Sequence, residues 1–327
     1  MEEGSGRICG SLPRYSGKER VPTVDAQPQP VNEQAAENLR RILASPTYQL
    51  AEQDTSFLAR PELRPVRLQL ELLKPEVAFR DQKIESTIVV FGGTQFVERE
   101  MSQERLRLLR EELAAAPDDV RLKRAVARAE RMAANSRYYD EAREFARLAS
   151  AAGQADPPRA FVVVTGGGPG IMEAANRGAF EVGAKSIGLN ITLPAEQAPN
   201  PYITPELCFQ FHYFALRKLH FLLRAAALIV FPGGFGTLDE LTDALTLRQT
   251  QRMQAIPIIM YARGYWERVI DFQFLADEGA ITDEHLDLIT YADTPAEAWN
   301  AIVSFHRQRA AGVEPDRAAV AAPTPSG

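Results

Sequence analysis

Residues 226–240, AALIVFPGGFGTLDE, decide the fold of this chain. They begin with an apolar run of strand length, pass through a turn at residues 232–237, and end in a helix that opens with Asp239 and Glu240. Three glycines in four positions let backbone N–H groups approach a ligand closely. Thr237 can cap the helix, and the free N–H groups of a helix start favour an anion. Pro-Gly-Gly is also ordinary turn chemistry, so the surrounding sequence has to decide whether this turn binds a phosphate.

Two further glycine-rich turns follow apolar runs of the same kind. Residues 86–91, STIVVF, predict a buried strand that ends in a Gly-Gly-Thr turn, and residues 161–164 predict one that leads into a second glycine-rich turn. Apolar strands that alternate with helices are typical of a parallel sheet covered on both faces, in which ligands lie at the carboxyl ends of the strands. The three turns therefore predict one site. Its expected lining is Gly92, Gly93, Thr94, Gly166, Gly167, Gly168, Gly170, Gly233, Gly234, Phe235, Gly236 and Thr237.

Helical and strand patterns alternate through the rest of the core, which predicts a Rossmann-like, doubly wound α/β domain with helices on both faces. Two charged helices at 101–116 and 120–135 predict a helical insertion at about 98–135, whose charges face solvent. Further helices are predicted at 138–151, 171–182, 213–224, 239–250, 266–276 and 295–307, strands at 185–191, 256–261 and 289–291, and an irregular loop at 193–205.

The N-terminal residues differ from this core. Residues 1–31 have few large apolar groups, and residues 310–327 are rich in Ala and Pro, so we expect both tails to be disordered. Residues 31–43 predict a helix, and the strict alternation of apolar and polar residues at 66–72 predicts an edge strand. The expected organisation is a tail at 1–31, an N-terminal extension at 32–85, a Rossmann-like domain at 86–309 and a tail at 310–327.

Composition argues against several functional classes. A chain of 327 residues can bury a full core, while its net charge of −6 disfavours binding to duplex nucleic acid. Cys9 and Cys208 are too few for a disulfide framework, which favours a reducing cytoplasm. No apolar run reaches membrane-spanning length, and the acidic start MEEGSG is not typical of a signal peptide. The four histidines lack metal-ligand spacing, so we expect no metal.

The glycine-rich turns do not fit the two commonest nucleotide motifs. Ile171 stands where the third glycine of G-x-G-x-x-G belongs, and Asn190 rather than an acidic residue ends the following strand. No Gly-Lys-Ser/Thr follows any of the turns, so a P-loop is absent. The sequence therefore disfavours both a nicotinamide enzyme and a P-loop ATPase.

The motifs do resemble those of one family. Residues 232–240, PGGFGTLDE, resemble the PGGxGTxxE signature of the LOG family, the cytokinin riboside 5′-monophosphate phosphoribohydrolases. Arg217-Lys218 resembles the family's Arg-Lys pair, residues 166–172 resemble its second glycine motif, and the resemblance covers residues 86–291. Members were often labelled lysine decarboxylases. This chain has no Ser-x-His-Lys stretch of the kind that holds pyridoxal phosphate, and we expect no cofactor.

The resemblance implies hydrolysis of the N-glycosidic bond of a nucleoside 5′-monophosphate to free base and ribose 5-phosphate, in at least a homodimer. Glu240 would stabilise an oxocarbenium-like charge or activate water. Arg217 would hold the phosphate or polarise the departing base. The other residues expected to line the pocket by resemblance are Glu196, Asn200, Lys218 and Thr246.

The chain departs from the family in its N-terminal arm and helical insertion, in the run Phe-His-Tyr-Phe at 211–214, and in having Asp239 where plant-type members carry Glu. These departures favour an enlarged bacterial-type member that cleaves AMP or other nucleoside monophosphates. Two alternatives stay open. The same pocket could serve a non-catalytic nucleotide or pterin-cofactor carrier, and the N-terminal arm could set the oligomeric state.

Overall fold

The computed structural model describes residues 32–154, 157–193 and 198–312. The chain divides into two compact units, with the boundary between Leu63 and Arg64. The predicted disordered segment 1–31, and all but the first three residues of 310–327, lie outside the described residues.

The described part of the first unit, residues 32–63, contains the α-helices α1 at Glu33–Leu43 and α2 at Thr55–Leu58. Asn32 caps α1, because its side-chain oxygen accepts a hydrogen bond from the N–H of Ala35 at 2.8 Å. The helix predicted to end at residue 43 is therefore confirmed over its described part. Neither helix buries a residue.

The edge strand predicted at residues 66–72 is wrong. These residues lie in helix α3, Arg64–Asp81. In the alternating run, Val66 and Leu70 are exposed. The apolar residues that are at least partly buried lie on one helix face, at a spacing of three or four residues, and comprise Leu68, Leu72, Pro75, Ala78 and Phe79. The alternation was the first part of a longer helical period, which seven residues are too few to reveal.

A seven-stranded, all-parallel sheet forms the centre of the second unit. Its strands are β1 Thr87–Phe91, β2 Val162–Thr165, β3 Ser186–Ile191, β4 Cys208–Phe211, β5 Ala225–Val230, β6 Ile258–Tyr261 and β7 Ile289–Ala292. Their order is β4-β3-β2-β1-β5-β6-β7. The chain builds outward from β1 to β4 and then crosses to the other side of β1, so the switch point of a doubly wound fold lies between β1 and β5.

The helices that follow α3 in this unit match the predicted helices, except that the helix predicted at residues 266–276 is divided into two at Ile270 and Asp271. They are α4 Arg99–Ala115, α5 Val120–Ala134, α6 Arg137–Gly153, α7 Ile171–Glu181, α8 Phe214–Leu223, α9 Phe235–Gln249, α10 Arg263–Val269, α11 Phe272–Asp277 and α12 Pro295–Ala310. The predicted helical insertion corresponds to α4 and α5, which pack against each other. Within the described residues, every helix is too short or too polar to cross a lipid bilayer.

Successive strand residues serve opposite faces of the sheet. Ile88 and Val90 belong to one buried cluster, and Val89 and Phe91 to another. Residues of α6, α7 and α12 complete the first cluster, whereas residues of α3, α8, α9 and α10 complete the second. The predicted parallel sheet with helices on both faces is confirmed.

Two features of this unit differ from the prediction. The short edge strand β4 follows the predicted loop and was not expected, although Phe209 and Phe211 alternate inward along it. The helix α3 packs on this unit, with the rings of Phe79 and Phe209 edge to face at 5.6 Å. The compact units therefore divide before α3, whereas the predicted boundary lay at residues 85/86.

Candidate functional site

A cleft of about 620 Å³ opens at the carboxyl ends of β1, β2 and β5, beside the switch point of the sheet. This volume lies in the range of about 300–1,000 Å³ that is usual for small-molecule pockets. All three predicted glycine-rich turns contribute to its wall. The predicted residues that line it are Gly92, Gly93, Thr94, Gly166, Gly168, Arg217, Gly233, Gly234, Gly236, Thr237 and Glu240.

One ion pair lies in this cleft. Nη2 of Arg217, on α8, is 3.4 Å from Oε1 of Glu240, on α9. The two side chains are only 15% and 7% exposed. The guanidinium also lies over the rings of Phe214 and Phe221, at 5.2 and 5.6 Å from their centroids. Its Nε is buried and has no hydrogen-bond partner among the described residues.

Burial raises the pKa of Glu240 to about 7, although the positive charges of Arg217 and Lys218 oppose this rise. Burial also lowers the pKa of Arg217, which Glu240 counteracts. An arginine stays charged in spite of such a change. The carboxyl can thus exchange a proton near neutral pH, a property that general acid–base groups need.

The predicted glycines fall into two groups, because Gly167 and Gly170 do not line the cleft whereas the others do. Gly167 and Gly170 adopt φ values of 75° and 72°, and a Cβ at Gly170 would lie 2.5 Å from the carbonyl oxygen of Gly93. The fold itself therefore requires them. A Cβ at Gly234 or Gly236, by contrast, would meet no atom of the described residues within 4 Å. Both line the cleft, so their lack of a side chain leaves space at its wall that a ligand can fill.

The helix α9 begins two residues earlier than the predicted cap. Gly234 is its N-cap and provides no side-chain hydrogen bond, so the prediction that Thr237 caps the helix is wrong. Thr237 lies in the first turn instead. The first N–H groups of a helix lack intrahelical acceptors and favour an anion. Phe235 does not line the cleft, and its side chain is 92% exposed.

A buried polar network holds the turn at residues 166–170. Nδ2 of Asn200 donates to the carbonyl oxygen of Gly168 at 3.1 Å and to Oδ1 of Asn176 at 2.9 Å. The hydroxyl of Thr165 donates to the same Oδ1 at 2.7 Å and accepts from the N–H of Gly167 at 3.0 Å. Asn200 therefore supports the turn from behind and does not line the cleft. Sequence reasoning missed Asn176, whose only signal is an amide on the small-residue face of α7.

Of the remaining candidates, the structure describes Lys218 and Thr246, and neither lines the cleft. Lys218 bonds Asp239 at 2.8 Å, and neither residue lines the cleft. Thr246 is exposed, and its hydroxyl donates to the carbonyl oxygen of Thr242 at 2.7 Å. Glu196 lies outside the described residues. The substrate-binding roles of these residues stay predictions.

Sequence reasoning also missed part of the wall. The additional lining residues are Phe91, Gln95, Phe96, Met172, Asn190, Ile191, Leu193, Phe214, Phe221 and Tyr265. Most are apolar or aromatic, with the two amides Gln95 and Asn190 among them, as is usual for a small-molecule pocket. They come from five separate regions of the chain, and no local motif marks them. Within the described chain, no three His, Cys, Asp or Glu side chains are grouped to hold a metal ion; the expected absence of a metal stays a prediction.

Comparison with known proteins gives one family match. The family model described as "possible lysine decarboxylase" matches residues 172–302, a segment that includes Arg217 and Glu240. No curated protein matches the chain.

Solved structures give more distant similarities. The chain is similar to the molybdenum cofactor binding protein from the phototrophic bacterium Rippkaea orientalis, at 19% identity over 51% of this chain and 86% of that one, with a TM-score of 0.37. The Moco carrier protein from Chlamydomonas reinhardtii shows 19% identity over 53% and 89%, with a TM-score of 0.37. A structural genomics target solved by X-ray crystallography shows 26% identity over 52% and 89%, with a TM-score of 0.38. The matched domain and the glycine-rich motifs are consistent with the LOG family, whose members often carry the lysine decarboxylase label.

Proposed function

We propose that the protein is a nucleoside 5′-monophosphate phosphoribohydrolase, which cleaves AMP or a cytokinin riboside 5′-monophosphate to free base and ribose 5-phosphate. The observation that carries this proposal is the buried pair of Arg217 and Glu240 in a cleft walled by three glycine-rich turns. The LOG resemblance of the same residues supports it.

The cleft offers separate surroundings for the parts of such a substrate. The start of α9, with open space at Gly234 and Gly236, is suited to the 5′-phosphate. Met172, Ile191 and Phe214 supply apolar contacts for a base. Arg217 and Glu240 then face the ribose and its glycosidic bond. Because Arg217 is paired with Glu240, we assign it to the reacting end of the substrate rather than to the phosphate.

Glu240, Arg217 and one water molecule can carry out this reaction. As the bond from C1′ to the base nitrogen breaks, positive charge develops on the ribose, and the Glu240 carboxylate stabilises it. A water oxygen bonds to C1′ and releases a proton that Glu240 accepts. The base leaves with the electron pair of the broken bond and takes up a proton from solvent, which balances the proton that Glu240 accepts from water and then returns to solvent. A hydrogen bond from Arg217 to the departing base favours its release. We place this chemistry in the cytoplasm, as the cysteine content favours.

Incubation with a panel of nucleoside monophosphates tests the proposal, with chromatography for free base and an assay for ribose 5-phosphate. We expect both products in equal amounts from at least one purine nucleotide. Retention of a nucleotide or a pterin cofactor without base release would favour the non-catalytic carrier instead. Turnover of nucleosides alone would contradict a phosphate-dependent reaction.

We also propose that the protein is a homodimer. An apolar stripe runs along α3 at a spacing of four, three and four residues, and comprises the exposed residues Val66, Leu70, Leu73 and Val77. The helix α8, which packs against α3, exposes Leu219 and Leu223, together with Phe214 at the cleft. A second copy of the chain would cover such a surface.

Light scattering tests this proposal. The unaltered protein should have twice the chain mass, and the double variant Leu70→Glu, Leu73→Glu should have the mass of a single chain. Val120→Glu, on the exposed face of α5, is the control.

A further inference from the structure

Tyr265 joins the helix α10 to the glycine-rich turn at the end of β5. Its hydroxyl donates a hydrogen bond of 2.7 Å to the carbonyl oxygen of Gly233, and its ring lines the cleft. The next residue, Trp266, is fully buried and donates its indole N–H to the carbonyl oxygen of Val230 at 3.1 Å. Two consecutive residues of α10 therefore hold the last part of β5 and the turn that follows it.

The hydrogen bond from Tyr265 matters for the orientation of the peptide between Gly233 and Gly234. Neither residue has a Cβ, so side-chain sterics do little to fix the plane of this peptide. The preceding carbonyl, of Pro232, is fixed separately because it accepts the N–H of Gly93 at 2.9 Å. Among the described side chains, only Tyr265 bonds the Gly233 carbonyl. In a trans peptide the carbonyl and the following N–H point in opposite directions, so Tyr265 also sets the direction of the Gly234 N–H.

That N–H belongs to a residue of the cleft wall. Gly234 lines the cleft and precedes the first residue of α9, so its N–H belongs to the group of donors that a helix start presents to an anion. Burial raises the pKa of the Tyr265 hydroxyl, so it stays protonated and neutral. A neutral donor can fix the turn without repelling an anionic ligand and without competing for it.

We propose that Tyr265 is a positioning residue, which orients the Gly233–Gly234 peptide so that its N–H reads the phosphate of the ligand. This inference rests on the proposed function for the identity of that ligand. It makes no use of the Arg217–Glu240 pair and concerns only the contribution of the phosphate to binding.

Titration calorimetry with AMP and adenosine tests it, since the two ligands differ only in the phosphate. Removing one neutral hydrogen bond in Tyr265→Phe should weaken AMP binding about three- to tenfold. Adenosine binding should not change, because the ring of residue 265 is kept. Tyr291→Phe removes a tyrosine hydroxyl from β7, outside the cleft, and should change neither affinity. The comparison is a cycle between one protein group and one ligand group, which separates their coupling from any general loosening.

The outcomes distinguish the two proposals. An equal loss for AMP and adenosine in Tyr265→Phe, or no loss for AMP, would overturn the positioning role while leaving the nucleotide hydrolase intact. If the unaltered protein bound AMP no more tightly than adenosine, the turn would not read a phosphate, and both proposals would fall.

Discussion

Arg217 and Glu240 lie 3.4 Å apart at the end of β5, on the two helices that flank this strand in the sequence. The pair is nearly closed to solvent, yet it forms part of the wall of an open cleft. Removing two opposite charges from water is costly, and a single long hydrogen bond compensates little of that cost. An ion pair of this kind contributes little to stability, which makes a chemical role the stronger explanation for its position.

Replacing the carboxylate should separate binding from turnover. We expect Glu240→Gln to lower base release from AMP by at least about 10²-fold, because the amide can neither accept a proton nor carry negative charge. AMP binding should persist, since the glycine-rich turns are unchanged. Asp239→Asn is the matched control, because it removes the neighbouring ion pair with Lys218 outside the cleft. Equal activity of the two variants would contradict the assignment of Glu240.

The rate should depend on pH through the same carboxyl. The reaction requires its ionised form, so turnover should rise with pH around a midpoint near 7. Arg217→Gln removes a positive charge that lowers the pKa of Glu240, and it should move the midpoint of the residual activity to higher pH. Lys218→Gln should move it in the same direction by a smaller amount. A bell with a falling limb near 7 would instead assign Glu240 as the acid.

The free energy of unfolding should fall as pH rises, whereas turnover should rise. The folded state raises the pKa of Glu240 from its ordinary 4.5 to about 7, so it binds a proton more tightly than the unfolded state. The resulting stability is fully present below pH 4.5 and is lost as pH rises through 7. Relative to Glu240→Gln, the unaltered protein should lose up to about 3 kcal/mol over this window. Urea titrations at pH 5 and pH 8 measure it, and parallel changes in the two proteins would exclude the effect.

Two alanine substitutions in the glycine-rich turns should have contrasting effects. Gly170→Ala places a side chain at φ 72° against the Gly93 carbonyl, and we expect a loss of about 1–3 kcal/mol in unfolding free energy. Gly234→Ala meets nothing in the described chain and should leave that energy within about 1 kcal/mol. Its AMP affinity, however, should fall about tenfold or more, a loss of about 1.4 kcal/mol or more. Thermal unfolding and calorimetry together check both; an unchanged affinity in Gly234→Ala would show that no ligand fills this space.

The sequence predicted the parallel sheet and the meeting of the glycine-rich turns because both follow from local patterns. Apolar runs such as STIVVF followed by glycine mark a buried strand and the turn after it, and parallel strands bring their ends to one edge. Arg217 and Glu240 were also found, because family resemblance named them and their places before and after the strand predicted at 228–231 brought both to its carboxyl end.

Contacts between residues far apart in the chain could not be predicted from the sequence. The wall residues Asn190 and Tyr265 belong to β3 and α10, and only the folded sheet brings them to one cleft. The hydrogen-bond network through Asn176 joins β2, α7 and the loop at Asn200, and no residue spacing in the sequence predicts it. The strand prediction at residues 66–72 was wrong for a different reason. Seven residues fitted a strand pattern, although the buried face of the helix to which they belong continues to Phe79.

The crossing from β4 to β5 has a practical consequence for anyone who trims this chain. Residues 172–302 carry the family match, but β1 and β2 lie before them, and β1 is the neighbour of β5 in the sheet. A fragment with those limits would leave the hydrophobic edge of β5 bare and would lack two of the three glycine-rich turns. We expect it to aggregate, whereas a cut between Leu63 and Arg64 keeps every strand with its neighbours.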